Sequence, residues 1–270
     1  MNKVILILLD ALNYETAKNR MGFMNHLVET KHAQFYRVKG CLPSLSRPMY
    51  ETILTGTNPI EHGIFNNFIN RRSKEESIFH LATNKGLKTG AAAYYWISEL
   101  YNESPFDIID HRIQNDVSKN IQHGIFYYED EYPDSHTFSD GEYIRRTYDP
   151  DFLLIHPMNI DLAGHKTSCD APAYMEAVYK VDIILSNYIP QWIKQGYHII
   201  VTADHGMNEI GTHGATGDTE RMVPLFTIGE KFQDCNVETV DQRIIAPTIC
   251  RLLDIKWSKK MIDKKFKGLR

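Results

Sequence analysis

The chain alternates short, unbroken apolar runs with longer stretches whose apolar residues recur every three or four positions. Such runs, and the shorter mixed segments between the helical stretches, predict strands over Val4–Leu9, Gln34–Lys39, Thr89–Tyr95, Phe152–His156, His198–Thr202 and Val223–Ile228. The continuous branched runs among them predict strands buried on both faces. Helical spacing predicts helices over Glu15–Thr30, Ser77–Lys85 with Gly86 as its stop, Ala171–Ile189 and Ile244–Leu253. In the third of these, Met175, Val178, Val181, Ile184 and Leu185 share one face. Met49–Leu54 follows Pro48, a residue suited to a first helical turn. Strands alternating with helices predict an α/β fold: a mostly parallel central sheet with helices on both faces.

One stretch breaks this rhythm. Glu99–Asp149 has weak periodicity and is rich in aromatic and acidic residues, as in FYYEDEYPDSHTF. It reads either as a small cap or rim of a cleft or as a packed excursion of the same domain. The basic end KKMIDKKFKGLR reads as a solvated helical tail. With 270 residues, 43% of them hydrophobic and 24% charged, residues 1–270 suit one large domain. A net charge of −4 without a long run of one sign predicts neither nucleic acid nor an acidic membrane as a partner. Cys41, Cys169, Cys235 and Cys250 are scattered and form no CxxC pair, which predicts free buried thiols. The apolar opening ends at Asp10 without a cleavage pattern, and no stretch approaches the roughly 20 apolar residues of a membrane helix. The chain thus reads as soluble and cytoplasmic, with no pattern that fixes an oligomeric state.

The candidate chemistry sits where strands end. Asp10 closes VILILLD, Asp161 follows FLLIHPMNID, and Asp204 closes YHIIVTAD. In open α/β sheets ligands bind beyond the carboxyl ends of the strands. Carboxylates gathered there repel one another, and bound cations relieve that cost. Histidines accompany the acids: His165 four residues after Asp161, His205 beside Asp204, and His213 in Gly-Thr-His-Gly. A mixed Asp/His set suits zinc first, with manganese or iron as alternatives. Six ligands exceed one tetrahedral ion, so two divalent metal ions are the economical expectation. Each piece alone has a bland reading, such as Asp10 capping the next helix or a glycine-rich loop being only a turn. Ser46 lies just ahead of the Met49–Leu54 helix and could be merely its N-cap. Taken alone the cap is the favoured reading; the position at the positive helix end also suits a nucleophile, with Ser44 as local rival.

These residues resemble the alkaline phosphatase superfamily, in particular its nucleotide pyrophosphatase/phosphodiesterase branch. The resemblance runs nearly end to end. It rests on VILILLDAL, SRPMYETILTGTNPIEHGIFNN, AAAYYW, NIDLAGH, TADHGM, GTHG and IAPTICRLLDI in that order. It implies an alkaline-phosphatase-like fold in which Asp10, Asp204 and His205 hold one metal, and Asp161, His165 and His213 the other. It implies that Ser46 is the nucleophile and touches the metals, that Asn67 binds a phosphoryl oxygen, and that Tyr95 and Trp96 lie near the substrate. Serine stands where that branch usually has threonine, and Pro48-Met49-Tyr50 where it usually has Pro-Asn-His.

The implied reaction is two-step. Ser46 attacks phosphorus, a phospho-serine forms, and water hydrolyses it. Two divalent ions against three carboxylates and a serine alkoxide leave the site near neutral and able to accept an anionic phosphoryl group. A monoester would bring a further negative charge, and no dedicated cation is evident, so the expected substrate is a small phosphodiester or pyrophosphate, with a nucleotide as one form. Monoester or phosphonate hydrolysis on the same metals is the alternative. A sulfatase is the nearest other enzyme, but Ser46-Arg47-Pro48-Met49-Tyr50 lacks the final arginine of the sulfatase motif. A metal-binding homologue without turnover is the non-enzymatic rival. His62 is expected to pack or cap.

Overall fold

A computed structural model describes residues 2–270. In chain order the elements are β1 (Lys3–Leu8), α1 (Tyr14–Arg20), α2 (Gly22–Glu29), β2 (Ala33–Lys39), α3 (Ser46–Thr55), α4 (Pro59–His62) and α5 (Ile78–Asn84). There follow β3 (Thr89–Tyr94), α6 (Trp96–Tyr101), β4 (Ile113–Asn115), β5 (His123–Tyr127), α7 (Asp134–Tyr148), β6 (Phe152–Ile155) and α8 (Asn159–Lys166). The chain closes with α9 (Pro172–Lys194), β7 (Tyr197–Thr202), α10 (Asp218–Arg221), β8 (Met222–Ile228), β9 (Val240–Asp241) and α11 (Ile245–Leu252).

The strands form one nine-stranded sheet in the order β4-β5-β3-β6-β1-β7-β8-β2-β9. From β5 to β7 every pairing is parallel. Strand β8 runs antiparallel to both neighbours, and β4 antiparallel to β5. The sheet is therefore α/β and mostly parallel, as the apolar runs predict. Its centre is β1, where Val4 to Leu9 have no exposed surface. Burying six such side chains contributes roughly 10 kcal/mol before the entropy of ordering is set against it. Helices α1, α2, α7 and α8 gather round α9, while α3, α5, α6 and α11 form the other set.

Three sequence expectations need correction. The helix expected over Glu15–Thr30 is two helices, broken at Met21. The break has a physical cause: the Asp182 carboxylate on α9 accepts Phe23 N–H at 2.7 Å and Met24 N–H at 3.1 Å, anchoring a second helix start. The long helix runs past Ile189 and through Pro190 to Lys194. The basic end is not a helical tail. Its residues form turns that bury Met261, Phe266 and Leu269, with the Phe266 ring edge-on to Tyr36 at 5.1 Å. The stretch 99–149 supplies β4, β5 and α7, so two strands of the main sheet and a packed helix come from it. All four cysteines are free. Among the described residues no helix is long and apolar enough to cross a membrane.

Candidate metal centre and active site

Neighbouring parallel strands deliver the acids to one edge of the sheet. Asp10 follows β1, Asp204 follows β7, and Asp161 lies in the first turn of α8, just after β6. Because β6, β1 and β7 are adjacent and parallel, their carboxyl ends open together. Helix α8 sets His165 one turn after Asp161, on the same face. His205 follows Asp204 directly, and its successor Gly206 leaves no room for a side chain, since a Cβ there would stand 2.1 Å from Thr219 O.

Helix α3 brings in Ser46 from the other helix set. Leu45, in extended conformation, precedes it, and Pro48 occupies the first turn, where no intrahelical N–H is needed. Gly56 closes the helix in the left-handed region at φ 65°. Ser46 is thus the first helical residue rather than a cap, and its Oγ lies 3.1 Å from His205 Nε2. Nor does Asp10 cap α1; Asn13 does. Ser44 donates its hydroxyl to Ala215 O at 2.8 Å. His62 is buried against Thr52 Oγ1 at 3.1 Å, a packing position.

The three histidines share one hydrogen-bonding arrangement. His165 Nδ1 faces Gly211 O at 3.0 Å, His205 Nδ1 faces Gly206 O at 2.9 Å, and His213 Nδ1 faces Ser44 O at 3.1 Å. A carbonyl accepts only, so each Nδ1 must carry the proton and each Nε2 turns a lone pair to the site. His165 Nε2 and His213 Nε2 then lie 3.1 Å apart. Both lie close to Asp161 Oδ1, at 3.4 and 3.6 Å. On the other side, His205 Nε2 is 3.2 Å from Asp204 Oδ2 and 3.5 Å from Asp10 Oδ1.

Those carboxylate oxygens, Asp10 Oδ1, Asp161 Oδ1 and Asp204 Oδ2, are buried and accept no hydrogen bond. Nitrogen and oxygen donor atoms thus converge there with no hydrogen-bond partner on the three carboxylate oxygens, which is the donor set a cation needs. Two groups are close enough to share ions: Asp10 with Asp204 and His205, and Asp161 with His205 and His213. His205 belongs to both. Its ring stacks on His213 with centroids 3.8 Å apart.

Burial and hydrogen bonding set the charges. Burial raises the Asp10 carboxyl, but hydrogen bonds from His156 and Tyr50 and the nearby His205 outweigh it and bring it down to about 2. Burial, with Asp10 as repelling neighbour, pushes Asp161 and Asp204 well above the carboxylate range. Burial lowers His205, and lowers His213 to about 3, so both imidazoles stay neutral.

Around this centre, Asn67 Oδ1 accepts Arg47 N–H at 3.0 Å. That bond fixes the amide orientation and leaves its Nδ2 protons for another acceptor. Arg47 is buried, pairs with Glu99 at 2.7 Å and lies 4.5 Å over the Trp96 ring. Tyr95 and Trp96 are half-buried and pack, with Tyr132, against a cluster of Tyr94, Tyr127 and Met158.

Two site residues escape the sequence reading. Tyr50 OH donates to Asp10 Oδ2, and His156 Nε2 lies 3.2 Å from the same oxygen. Signals for both exist. Tyr50 stands four residues after Ser46 on one helix, and His156 ends the strand FLLIH as Asp10 and Asp204 end theirs.

A family model described as type I phosphodiesterase / nucleotide pyrophosphatase matches residues 4–228. GPI ethanolamine phosphate transferase 2 of Schizosaccharomyces pombe is 23% identical over 97% of this chain, which spans 38% of that relative. Human ectonucleotide pyrophosphatase / phosphodiesterase 5 superposes with a TM-score of 0.75 at 14% identity, covering 95% of this chain and 96% of that one. Its murine counterpart, in an inactive form in complex with AMP, superposes with a TM-score of 0.74 at 13% identity, covering 96% of each chain. At such identities the superpositions speak for the fold.

Proposed function

Because the chain belongs to the type I phosphodiesterase / nucleotide pyrophosphatase family, within the alkaline phosphatase superfamily, we propose that it cleaves phosphodiester or pyrophosphate bonds through a phospho-serine at Ser46. The observation that carries this reading is the convergence of Asp10, Asp161, Asp204, His165, His205 and His213, with three unpartnered carboxylate oxygens, beside the Ser46 hydroxyl. Asp10, Asp204 and His205 would hold one divalent ion and Asp161, His165 and His213 the other, zinc fitting the donors before manganese or iron. When bound, such ions supply the positive charge that lowers the serine pKa and receives an anionic phosphoryl group.

The residues of the chain divide the remaining work. Ser46 loses its hydroxyl proton as Oγ bonds to phosphorus, and the leaving oxygen departs and takes up a proton. Water then adds to phosphorus with loss of a proton, the Ser46 Oγ–P bond breaks, and Oγ regains its proton. Asn67 offers its Nδ2 protons to a non-bridging oxygen. Arg47 stands beside the nucleophile, yet its charge is matched by buried Glu99. That pairing sets Arg47 against an existing negative charge rather than the second charge of a monoester, which favours a diester. Tyr95 and Trp96 offer ring surface to a substituent. The AMP bound by the murine structure makes a nucleotide a reasonable first substrate to try.

A panel of p-nitrophenyl diester, monoester and phosphonate substrates with zinc or manganese tests this. The diester should turn over fastest, and Ser46→Ala should lose about 1000-fold or more while keeping its metal. Undiminished hydrolysis in that variant would remove the nucleophile, and a monoester preference would overturn the diester assignment.

The Schizosaccharomyces pombe relative favours a second reading, transfer of the phosphoryl group to an alcohol instead of water. Hydrolysis run in rising ethanolamine distinguishes the two: a phosphorylated alcohol formed at the expense of the free product supports transfer.

A further inference from the structure

We propose that Tyr50 and His156 are paired positioning residues that turn Asp10 into a one-oxygen ligand, an inference that rests on the metal reading above. Asp10 is buried, and its two oxygens have opposite surroundings. Oδ2 receives the Tyr50 hydroxyl and faces His156 Nε2 at 3.2 Å. Oδ1 receives nothing and looks toward His205.

The direction of the His156 bond follows from its other nitrogen. Tyr94 N–H points at His156 Nδ1 at 3.4 Å, which makes Nδ1 the acceptor and puts the proton on Nε2. That proton has Asp10 Oδ2 as its acceptor. The ring is held further by an edge-on contact with Tyr50 at 4.7 Å. Its backbone is tied at both ends: His156 N–H donates to Ala92 O at 2.9 Å, and His156 O accepts the Tyr127 hydroxyl at 2.7 Å. Two rigid donors therefore saturate one oxygen and leave the other as the only free acceptor of Asp10.

Asp204 has no such pair. Its donors are backbone N–H groups, Ala11 to Oδ1 at 3.2 Å among them, and not a pair of side chains on one oxygen. The clamp is specific to Asp10, and it links that acid to the nucleophile. Tyr50 stands one turn after Ser46 on α3, so the same helix fixes the serine and the orientation of the acid opposite it.

Partners that orient a metal ligand from behind change metal affinity by about 10- to 100-fold when removed. Tyr50→Phe keeps the ring and deletes one donor. His156→Leu deletes the other, whereas His156→Gln retains an amide donor at the reach of Nε2. We would titrate zinc into the full chain against a competing chelator and follow thermal unfolding in parallel. The wild type should bind two ions. Tyr50→Phe and His156→Leu should each weaken one ion by about 10- to 100-fold and leave the second unchanged, with His156→Gln closer to the wild type than His156→Leu. Unchanged or tighter zinc binding in Tyr50→Phe, or equal weakening of both ions, overturns the clamp. A purely structural role would lower the melting temperature without separating the two affinities, and that outcome also overturns it. A wild type that binds fewer than two ions removes the metal reading itself. Should His156→Leu fail to fold, Tyr50→Phe decides alone.

Discussion

Replacing Glu51 with glutamine should stabilise the protein above pH 7 and cost about 1 kcal/mol near pH 4. Glu51 lies on α3, five residues after Ser46, with no exposed surface. Tyr101 OH donates to Oε2 at 2.7 Å, and Ser73 OH donates to Oε1. These bonds do not offset the loss of water, and burial pushes the carboxyl up from 4.5 to about 7. Between those pH values the native chain keeps a proton that the unfolded chain has released. Stability from this group is therefore full below pH 4.5, falls as pH rises toward 7, and is flat beyond. At 1.36 kcal/mol per pH unit the loss is about 3 kcal/mol, most of it between pH 5 and pH 8.

Glutamine carries no charge and so removes this slope. It accepts one of the two hydroxyl bonds less well, a cost of about 1 kcal/mol that does not vary with pH. Urea unfolding of both proteins at pH 5, 6, 7 and 8 reads the difference directly, provided the m-values agree. Titration of the metal-site groups is common to both chains and cancels. The gap between variant and wild type should grow by about 2 kcal/mol from pH 5 to pH 8. Midpoints that move in parallel across the range would refute the reasoning.

Two further outcomes follow from single residues. His213→Ala should lose one of two metal equivalents in elemental analysis of the purified chain, since His213 Nε2 faces Asp161 and His165 at once; unchanged stoichiometry would reduce the Gly-Thr-His-Gly segment to a turn. His198, buried on β7 with neither ring nitrogen partnered, should be replaceable by leucine with a gain of about 1 kcal/mol. Burial lowers its pKa, so the native state holds it neutral and loses stability as pH falls through 6.5. The gain in urea unfolding should widen from pH 7 to pH 5, and a gain that shrinks on acidification would contradict this.

The legible parts of the fold are those where one pattern dominates. The strand core is written as continuous apolar runs, because strands covered on both faces need no alternation. Asp10, Asp161 and Asp204 are legible because each follows a strand end, where a parallel sheet gathers its polar groups, and His165, His205 and His213 because they follow those acids in the sequence. What escaped depends on distant partners. Nothing near Met21 in sequence announces that Asp182 will start a second helix there. Strand β4 exposes Ile113 and pairs through three residues only, so it leaves no periodic trace. The lysine-rich end resembles a solvated tail until Met261, Phe266 and Leu269 find pockets far along the chain. His156 is hidden for another reason: one histidine after a strand acquires its role only when the parallel pairing of β1 and β6 brings it beside Asp10.

The same pairing explains why three buried acids do not behave alike. Burial raises the carboxyl of each, so burial cannot distinguish Asp10 from Asp161 and Asp204. Hydrogen-bond donors can. Only Asp10 has side-chain donors on one oxygen from both helix α3 and the end of β6. That keeps Asp10 anionic, and its charge then helps to push the other two upward. The acid held in this way is also the one whose Tyr50 donor shares a helix with Ser46.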